Sequence, residues 1–375
     1  MGEQPPAHSV SSAAAVALRR SPLHDRHLAA GARMVPFAGW EMPLQYAGIV
    51  AEHTAVREHA GVFDVSHMGR ATVAGPGAGT AIRSITSFDV TSLYPGAAHY
   101  SLYCAPDGGI ADDVFIYRVA ADRWLIVHNA SQATADFQRL RSAAGPRATD
   151  TTVATAMLAI QGPAARSIAS SVLREPVTTL APRRSAEFLW HGSPVLVART
   201  GYTGEDGVEC ILPVVVAGEL WDAVVDAGAT PAGLGARDTL RMEAALPLYG
   251  NDIDLATNPY EAGLGWVVTL GDGSPFTGRD ALLALKDRPL TRRLACLRVG
   301  GRAIPRAGYR VQSSDGSRTV GTCTSGAYSP TLRAGIALAY LPMDMAEPGT
   351  SLAVDVRGQA VPAVVVPRPF YRRTR

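Results

Sequence analysis

The chain has 375 residues, and its 35 Lys and Arg residues nearly balance its 33 Asp and Glu residues, giving a formal net charge of +2. With 47% hydrophobic and 18% charged residues, it has the composition of a folded globular protein and is long enough for two or three domains. No stretch is densely basic and no apolar run approaches the roughly 20 residues that span a bilayer, which argues against nucleic-acid and membrane partners.

Cysteine and lysine usage narrows the possible cofactors. The four cysteines, Cys104, Cys210, Cys296 and Cys323, have no C-x-x-C spacing, which predicts buried thiols in the cytoplasm and no structural metal. Lys286 is the only lysine, and it lies at the end of a predicted exposed helix. Because a pyridoxal phosphate enzyme needs a lysine amine for its Schiff base, the sequence argues against that cofactor.

The N-terminal region predicts a tail and two helices. Residues 1–20, rich in Ala, Ser and Pro, predict a disordered leader. Capping and terminating residues predict helices over 21–31 and 48–60. Between them, residues 37–43 carry too many Gly and Pro residues for a regular element, which predicts a bulky loop that either plugs a core or lines a cleft.

The segment 62–136 has an α+β pattern. Residues 62–74 alternate as a single strand and contain His67, which has no spaced partner for a metal and is predicted to be a hydrogen-bonded structural histidine. A short helix near 78–85 precedes a strand at 100–104.

Two adjacent carboxylates are the most conspicuous feature of this segment. Asp112 and Asp113 lie at the start of an apolar run within residues 108–117, where acidic side chains are costly to desolvate. Strand alternation places Asp113, Phe115 and Tyr117 on one face. The alternative is that the two aspartates merely begin a strand beside a turn.

A second apolar run, 123–127, follows a polar break and predicts a β-hairpin centred near Ala121. This register places Asp113 opposite Asn129 and Tyr117 opposite Leu125. One surface would then carry a carboxylate, a carboxamide and a phenol, which suit a heterocyclic ligand.

Strands are also predicted at 157–160, 195–199 and 208–212, the last two joined by a loop with three glycines that allow close approach to a ligand. Glu209 stands among apolar neighbours, and a buried carboxylate is uncommon unless it is paired. A planar ring with adjacent N–H donors would satisfy it, and a salt bridge or an outward-facing position is the alternative.

Arg237 is predicted to lie at or just before the first residue of a helix that follows the loop 231–236. A cation there opposes the helix dipole, and a bound anion would offset this. Local pairing with Asp238 or Glu243 is the alternative.

From residue 279 onward, short strands separated by Gly and Pro turns predict an all-β domain. Its basic and aromatic tail, residues 367–373, is either a solvated end or a segment that reaches back to a ligand or an acidic partner.

Taken together, eight motifs resemble the aminomethyltransferase (T-protein) family of the glycine cleavage system over essentially all of 21–373. The motifs are FAGWEMP (37–43), FDVSHMG (63–69), GGIADDVFIY (108–117), IQGP (160–163), RTGYTGEDGVE (199–209), PAGLGARD (231–238), NPYEAGLGW (258–266) and TSGAYSPTL (324–332).

The resemblance implies an α+β, multidomain cloverleaf around a central channel that holds tetrahydrofolate as co-substrate. It implies a discontinuous first domain (21–61 plus 137–278), an inserted α+β domain (62–136) that carries Asp113, and a β-barrel-like C-terminal domain (279–375).

The resemblance also implies the reaction. The methylene of an aminomethyl group on the lipoyl arm of H-protein passes to tetrahydrofolate, with release of ammonia and the dihydrolipoyl carrier. Asp113 corresponds to the essential aspartate, and Arg237 is expected to balance a carboxylate of the folate. The residues implied at the folate site are Glu209, Arg237, Tyr371, Tyr100, Tyr117, Asn129 and Tyr202.

Two other functions remain open on this resemblance. One is a folate-dependent demethylase of a small methylated amine or sulfonium. The remoter one is a non-catalytic folate-binding protein of iron–sulfur assembly, whose relatives carry a cysteine-containing K-G-C-x-x-G-Q-E loop where residues 258–263 here read NPYEAG.

Overall fold

The computed structural model describes residues 17–271 and 273–373. Residues 1–16 of the predicted disordered leader lie outside the described residues, whereas Arg19–Arg20 form a short strand, so the leader prediction is wrong at its end. The fold is multidomain and α+β as predicted, with three sheets and a closed barrel.

The helices and strands follow one another along the chain, and the longest connection runs between α7 and α8. The first half contains β1 (Arg19–Arg20), α1 (His24–Ala29), β2 (Arg33–Phe37), β3 (Trp40–Gln45), α2 (Ile49–Glu58), β4 (Gly61–Asp64), β5 (Gly69–Ala74), α3 (Ala78–Arg83), β6 (Ala98–Cys104), β7 (Ile110–Ala120), β8 (Arg123–His128), α4 (Ala133–Ala144), β9 (Ala148–Asp150), β10 (Thr155–Gln161) and α5 (Ala165–Leu173). The second half contains β11 (Ser185–Trp190), β12 (Ser193–Ala198), β13 (Gly207–Pro213), α6 (Val214–Asp226), β14 (Thr230–Pro231), α7 (Leu234–Glu243), α8 (Arg279–Lys286), β15 (Arg292–Val299), β16 (Arg310–Ser313), β17 (Thr319–Ser329), β18 (Ala334–Pro342), β19 (Ser351–Val356) and β20 (Gln359–Val366).

A six-stranded sheet, in the order β11-β12-β13-β10-β4-β14, forms the centre of the first part. Helices α5 and α6 bury their apolar faces against it in one core cluster, which includes Leu158, Ile168 and Trp221. The opposite face of the sheet packs towards the β7–β8 hairpin through Phe63, Met157 and other apolar side chains, so two sheets face each other there.

A five-stranded sheet, in the order β6-β7-β8-β5-β9, carries Asp113 on β7. Helices α3 and α4 pack on its far face around Ile82, Trp124 and Leu140. This sheet extends from Gly69 to Asp150, and β4 belongs to the six-stranded sheet. The predicted inserted segment, 62–136, therefore begins a few residues before this sheet and stops short of its last strand.

The predicted single strand over 62–74 is wrong, because the chain leaves one sheet and enters another between β4 and β5. A turn at the end of β4 makes this change, and the Asp64 carboxylate accepts a hydrogen bond from the Ser66 backbone N–H at 2.8 Å. His67 lies in this connection.

The predicted loop over 37–43 is also wrong, because β2 and β3 form a hairpin there. Pro36 is tolerated because β2 is an edge strand, and Pro43 lies beyond Glu41, where pairing with β1 ends. Trp40 is buried as a core residue, whereas Phe37 is partly exposed.

The C-terminal strands form a closed six-stranded barrel in the order β15-β18-β17-β16-β19-β20, which confirms the predicted all-β domain. The sequence reading missed β20, whose pairing with β15 closes the barrel. The four cysteines are free and buried, as predicted.

Within residues 17–271 and 273–373, no helix has the length and apolar character that a membrane span requires. Nor do these residues bring together three or more His, Cys, Asp or Glu side chains that could hold a metal ion.

Candidate active site

The β7–β8 hairpin has the predicted register. Tyr117 pairs with Leu125, and the alternation of the strand directs Asp113, Phe115 and Tyr117 to one side, where all three line a cavity. Asn129, just beyond the end of β8, donates from Nδ2 to Asp113 Oδ1 at 2.8 Å. A local pattern of alternation and turn therefore suffices to bring these groups together.

The cavity has a volume of about 1200 Å³ and lies where the two facing sheets meet the barrel. Asp113 and Glu209 open onto this one space. Phe37 and Phe115 form apolar walls of the cavity. Of the two roles predicted for residues 37–43, Phe37 therefore has the cleft-lining one. Seven of the eight predicted site residues line the cavity: Tyr100, Asp113, Tyr117, Asn129, Tyr202, Glu209 and Arg237.

Asp113 is poised to exchange a proton near neutral pH. Burial and, after it, the neighbouring Asp112 raise the pKa of Asp113 to about 7, although Asn129 and Tyr100 act in the opposite direction. A carboxyl group with this pKa can serve as a general base or acid at physiological pH.

Glu209, on β13, is buried with 7% of its surface exposed. The hydroxyls of Thr200 and Tyr117 both donate to its Oε2. The salt bridge and the outward-facing position that were the alternatives are therefore not observed. Its other oxygen, Oε1, accepts no hydrogen bond from the described part of the chain, which leaves an acceptor for a ligand beside the cavity.

Arg237 is the fourth residue of α7, so the helix begins three or four residues earlier than predicted. The alternative of local pairing is not observed, because Asp238 binds Arg241 and Glu243 binds Arg57. Burial lowers the pKa of Arg237, and its Nη1 has no hydrogen-bond partner. A buried guanidinium with a free donor is suited to bind an acceptor atom in the cavity.

Two tyrosines flank these charged groups. The ring of Tyr202 lies under the Arg237 guanidinium at 4.8 Å, and its hydroxyl donates to the carbonyl of Pro247. The Tyr100 hydroxyl is buried and lowers the pKa of Asp113 by facing its carboxyl group, although no described residue lies at ordinary hydrogen-bond distance from it. Tyr202 is therefore fixed within the protein, whereas Tyr100 retains a free polar group.

His67 also lines the cavity, which the sequence reading did not predict. It is 4% exposed and lies edge-on to Phe37, with ring centroids 5.4 Å apart. Its Nδ1 has no partner, so the prediction of a hydrogen-bonded structural histidine is wrong for that atom. Burial and the Arg237 cation lower the pKa of His67 to about 3, and the ring is therefore neutral at physiological pH.

The unpartnered atoms of His67, Tyr100 and Arg237 share one property, because all three residues line the same cavity. Buried polar atoms without a partner are rare and costly in folded proteins. A polar ligand in the cavity would satisfy them.

Tyr371, the eighth predicted site residue, is not in the cavity wall. Its ring lies 4.0 Å from the Arg57 guanidinium. The tail reaches the cavity through Arg368 instead, which lines it and donates to the backbone carbonyls of Ala245 and Ala262. The tail thus packs against the protein at Arg368, so the alternative of a solvated end is wrong there, and contact with a ligand or an acidic partner stays a prediction.

Comparisons with known proteins agree with this architecture. Residues 23–272 match the GCVT N-terminal domain and residues 292–372 match the glycine cleavage T-protein C-terminal barrel domain. The chain is 46% identical to an aminomethyltransferase of Synechococcus elongatus over 95% of this chain and 97% of that protein, and 44% identical to one of Herpetosiphon aurantiacus over 95% and 99%.

A solved structure shows the same similarity in three dimensions. The glycine cleavage system aminomethyltransferase T from Bartonella henselae superposes with a TM-score of 0.89 at 34% identity, covering 96% of this chain and 100% of that one. The chain therefore belongs to the glycine cleavage T-protein family, a family of aminomethyltransferases.

Proposed function

We propose that this protein transfers the methylene of an aminomethyl group on the lipoyl arm of H-protein to tetrahydrofolate, with release of ammonia and the dihydrolipoyl carrier. The observation that carries the proposal is the meeting of Asp113, Glu209 and Arg237 in one cavity. We expect the reaction to run in the cytoplasm.

The Glu209 end of the cavity suits a reduced pterin. Such a ring presents an amino group and an adjacent ring N–H, and a carboxylate can accept both hydrogen bonds. Thr200 and Tyr117 hold Glu209 Oε2 in place, which orients the carboxylate before a ligand arrives.

Arg237 is close enough to Glu209 for the carboxylate to raise its pKa against the effect of burial. A pterin carries its carbonyl beside the same ring N–H, so one donor next to one acceptor matches that edge of the ring. This proximity favours the ring carbonyl as the partner of Arg237 over the folate carboxylate that we predicted. The free Nη1 supports the same role.

Asp113 would hold or accept the proton of the attacking amine, which tetrahydrofolate supplies when it is bound. A positioned base and the electrostatic effect of its charge typically contribute about two to four orders of magnitude in rate. Asn129 orients the carboxylate, and Phe115 helps to exclude water, which strengthens charge interactions in the cavity.

The remaining predicted folate residues divide into two groups. Tyr100 offers a polar atom at the cavity wall, as does His67, which was not predicted there, and Tyr117 acts by positioning Glu209. Tyr371 lies outside the wall beside Arg57, so a folate contact from Tyr371 stays a prediction.

Methylene exchange tests the proposal directly. Purified protein is mixed with aminomethyl-loaded lipoylated carrier and tetrahydrofolate, and we expect methylenetetrahydrofolate and ammonia in equal amounts. The same protein is assayed for demethylation of sarcosine and dimethylsulfoniopropionate. Demethylation of either compound without turnover of the loaded carrier would contradict the proposal and support the demethylase alternative.

A further inference from the structure

Asp112 is a buried acid that the proposed reaction does not use. It is adjacent to Asp113 but points to the opposite face of β7, where its cross-strand neighbour Tyr103 packs in the core beside α4. Its side chain is 0% exposed. Asn129 Nδ2 donates to Asp112 Oδ1 at 2.9 Å, and Asp112 Oδ2 has no donor.

A second buried acid faces it from helix α4. Asp136 is also 0% exposed, its Oδ1 binds the Arg139 guanidinium, and its Oδ2 has no donor. The carboxyl groups of Asp112 and Asp136 lie close enough for each to shift the pKa of the other. Two carboxylates cannot both ionise at such a site, and one shared proton gives each unpartnered oxygen a partner.

We propose that Asp112 is a positioning residue that keeps its proton during the reaction, donates it to Asp136, and holds Asn129 through its other oxygen. Asn129 Nδ2 donates to Asp112 Oδ1 and to Asp113 Oδ1, so this single amide links the neutral acid to the reacting carboxyl. The inference rests on the proposed function, because it explains how Asp113 is oriented and kept able to ionise.

The surroundings determine which acid keeps the proton. Asp136 has the Arg139 cation and lies in the first turn of α4, both of which favour its ionised form. Asp112 has the Asn129 amide and the Asp113 backbone N–H as donors, and neither carries a charge. The titratable groups that influence Asp112 or are influenced by it are Asp113, Asp136, Tyr100, Tyr103 and Tyr249, and the Arg139 cation acts on Asp136.

The order of titration follows from this arrangement. Burial and the contact with Asp136 raise the pKa of Asp112 to about 9, above the value of about 7 for Asp113. Asp113 can therefore lose its proton while Asp112 stays neutral. The charge of Asp112 contributes to the raised pKa of Asp113, so a neutral Asp112 leaves burial as the main cause of that shift.

The variant Asp112→Asn tests whether wild-type Asp112 is a neutral acid or an anion. Its amide can donate to Asp136 and its carbonyl can accept from Asn129, as the protonated acid does. We expect kcat within about threefold of wild type and a pH–rate limb within about 0.3 pH unit. A shift of that limb to lower pH by about one unit or more would mean that wild-type Asp112 is charged, which would overturn the inference.

Infrared spectroscopy gives a readout that does not depend on turnover. At pH 8 we expect the C=O stretch of a protonated carboxylic acid in wild type and in Asp113→Asn, and its loss in Asp112→Asn. Persistence of the full band in Asp112→Asn would overturn the inference. Full turnover by Asp113→Asn would instead refute the proposed role of Asp113, and the band would still report the proton on Asp112.

Discussion

Glu243 and Asp113 are both carboxylates in the protein interior, yet their pKa values shift in opposite directions. Burial favours the neutral form of each. At Glu243, bonds from His53, Ser329 and Arg57 outweigh burial and lower the pKa to about 2. At Asp113, the effects of Asn129 and Tyr100 do not outweigh burial, and the pKa rises to about 7.

The difference reflects what each carboxylate does. Glu243 ends helix α7 and binds Ser329 and Thr331 of the barrel, so it joins two parts of the molecule. Asp113 has its free side towards the cavity. A fully paired carboxylate holds structure together, whereas a carboxylate with too few partners remains available for chemistry.

The largest effect is expected from Asp113→Asn, which removes the base while keeping the shape. We predict a loss of at least about a hundredfold in kcat, with tetrahydrofolate binding retained. Steady-state assays and equilibrium binding measure the two quantities. Asp122→Asn, at the exposed turn of the same hairpin, is the matched control. Equal turnover in Asp113→Asn and Asp122→Asn would show that the Asp113 carboxylate has no catalytic role.

Glu243→Gln tests the structural role of the fully paired carboxylate. The change leaves the buried His53 without its carboxylate partner and Arg57 with Glu205 as its remaining ion-pair partner, and we predict a decrease of about 3 kcal/mol in the free energy of unfolding. Urea unfolding measures it. Glu219→Gln, which is largely exposed, should change this free energy little. An unchanged value for Glu243→Gln would show that the junction does not depend on this pair.

Glu209→Gln tests the ligand-binding carboxylate. We predict that the affinity for tetrahydrofolate falls about 10- to 100-fold, because the amide turns one acceptor into a donor facing the pterin N–H groups. Isothermal titration measures the dissociation constant, and the exposed Glu58→Gln serves as control. Wild-type affinity in Glu209→Gln would place the pterin elsewhere in the cavity.

The raised pKa of Asp112 and the lowered pKa of Glu243 predict opposite pH dependence of stability. Asp112 has a folded pKa of about 9, above its unfolded value, so its contribution to stability falls as the pH rises towards 9. Glu243 has a lowered folded pKa, so its contribution is lost as the pH falls towards about 2.

Unfolding curves between pH 6 and pH 9 isolate the contribution of Asp112 to stability. We predict that wild type loses up to about 1.4 kcal/mol per pH unit more than Asp112→Asn, which has no proton to lose. Parallel stability profiles for the two proteins would contradict a protonated Asp112.

The smallest effect is expected from an exposed pair. Arg123 and Glu187 join the two facing sheets at the surface, with side chains 47% and 40% exposed. We predict that Arg123→Gln lowers the free energy of unfolding by less than about 1 kcal/mol and leaves kcat unchanged. A larger loss of stability would show that pairing matters regardless of burial.

Much of the candidate site is predictable from sequence because its determinants are local. The alternation of β7 and the short turn before β8 place Asp113, Tyr117 and Asn129 correctly before any tertiary contact is known. Glu209 and Arg237 stand out from their local sequence, family resemblance predicted that they belong to one site, and the cavity contains both.

The remainder depends on contacts that a local pattern does not encode. His67 reads as one residue of an alternating strand, and only the change of sheet after β4 turns it to the cavity. Asp136 reads as an ordinary acidic residue of a polar helix, and its burial against Asp112 follows from how α4 packs on the sheet. Tyr371 depends on the path of the tail.

The cavity wall draws residues from both facing sheets, from the segment after α7, and from β15 and the tail behind the barrel. A molecule bound in that space contacts all of these parts at the same time and links them. Binding of a molecule there therefore adds to the stability of the folded protein by mass action. Loosening any one of these parts weakens the binding of the molecule.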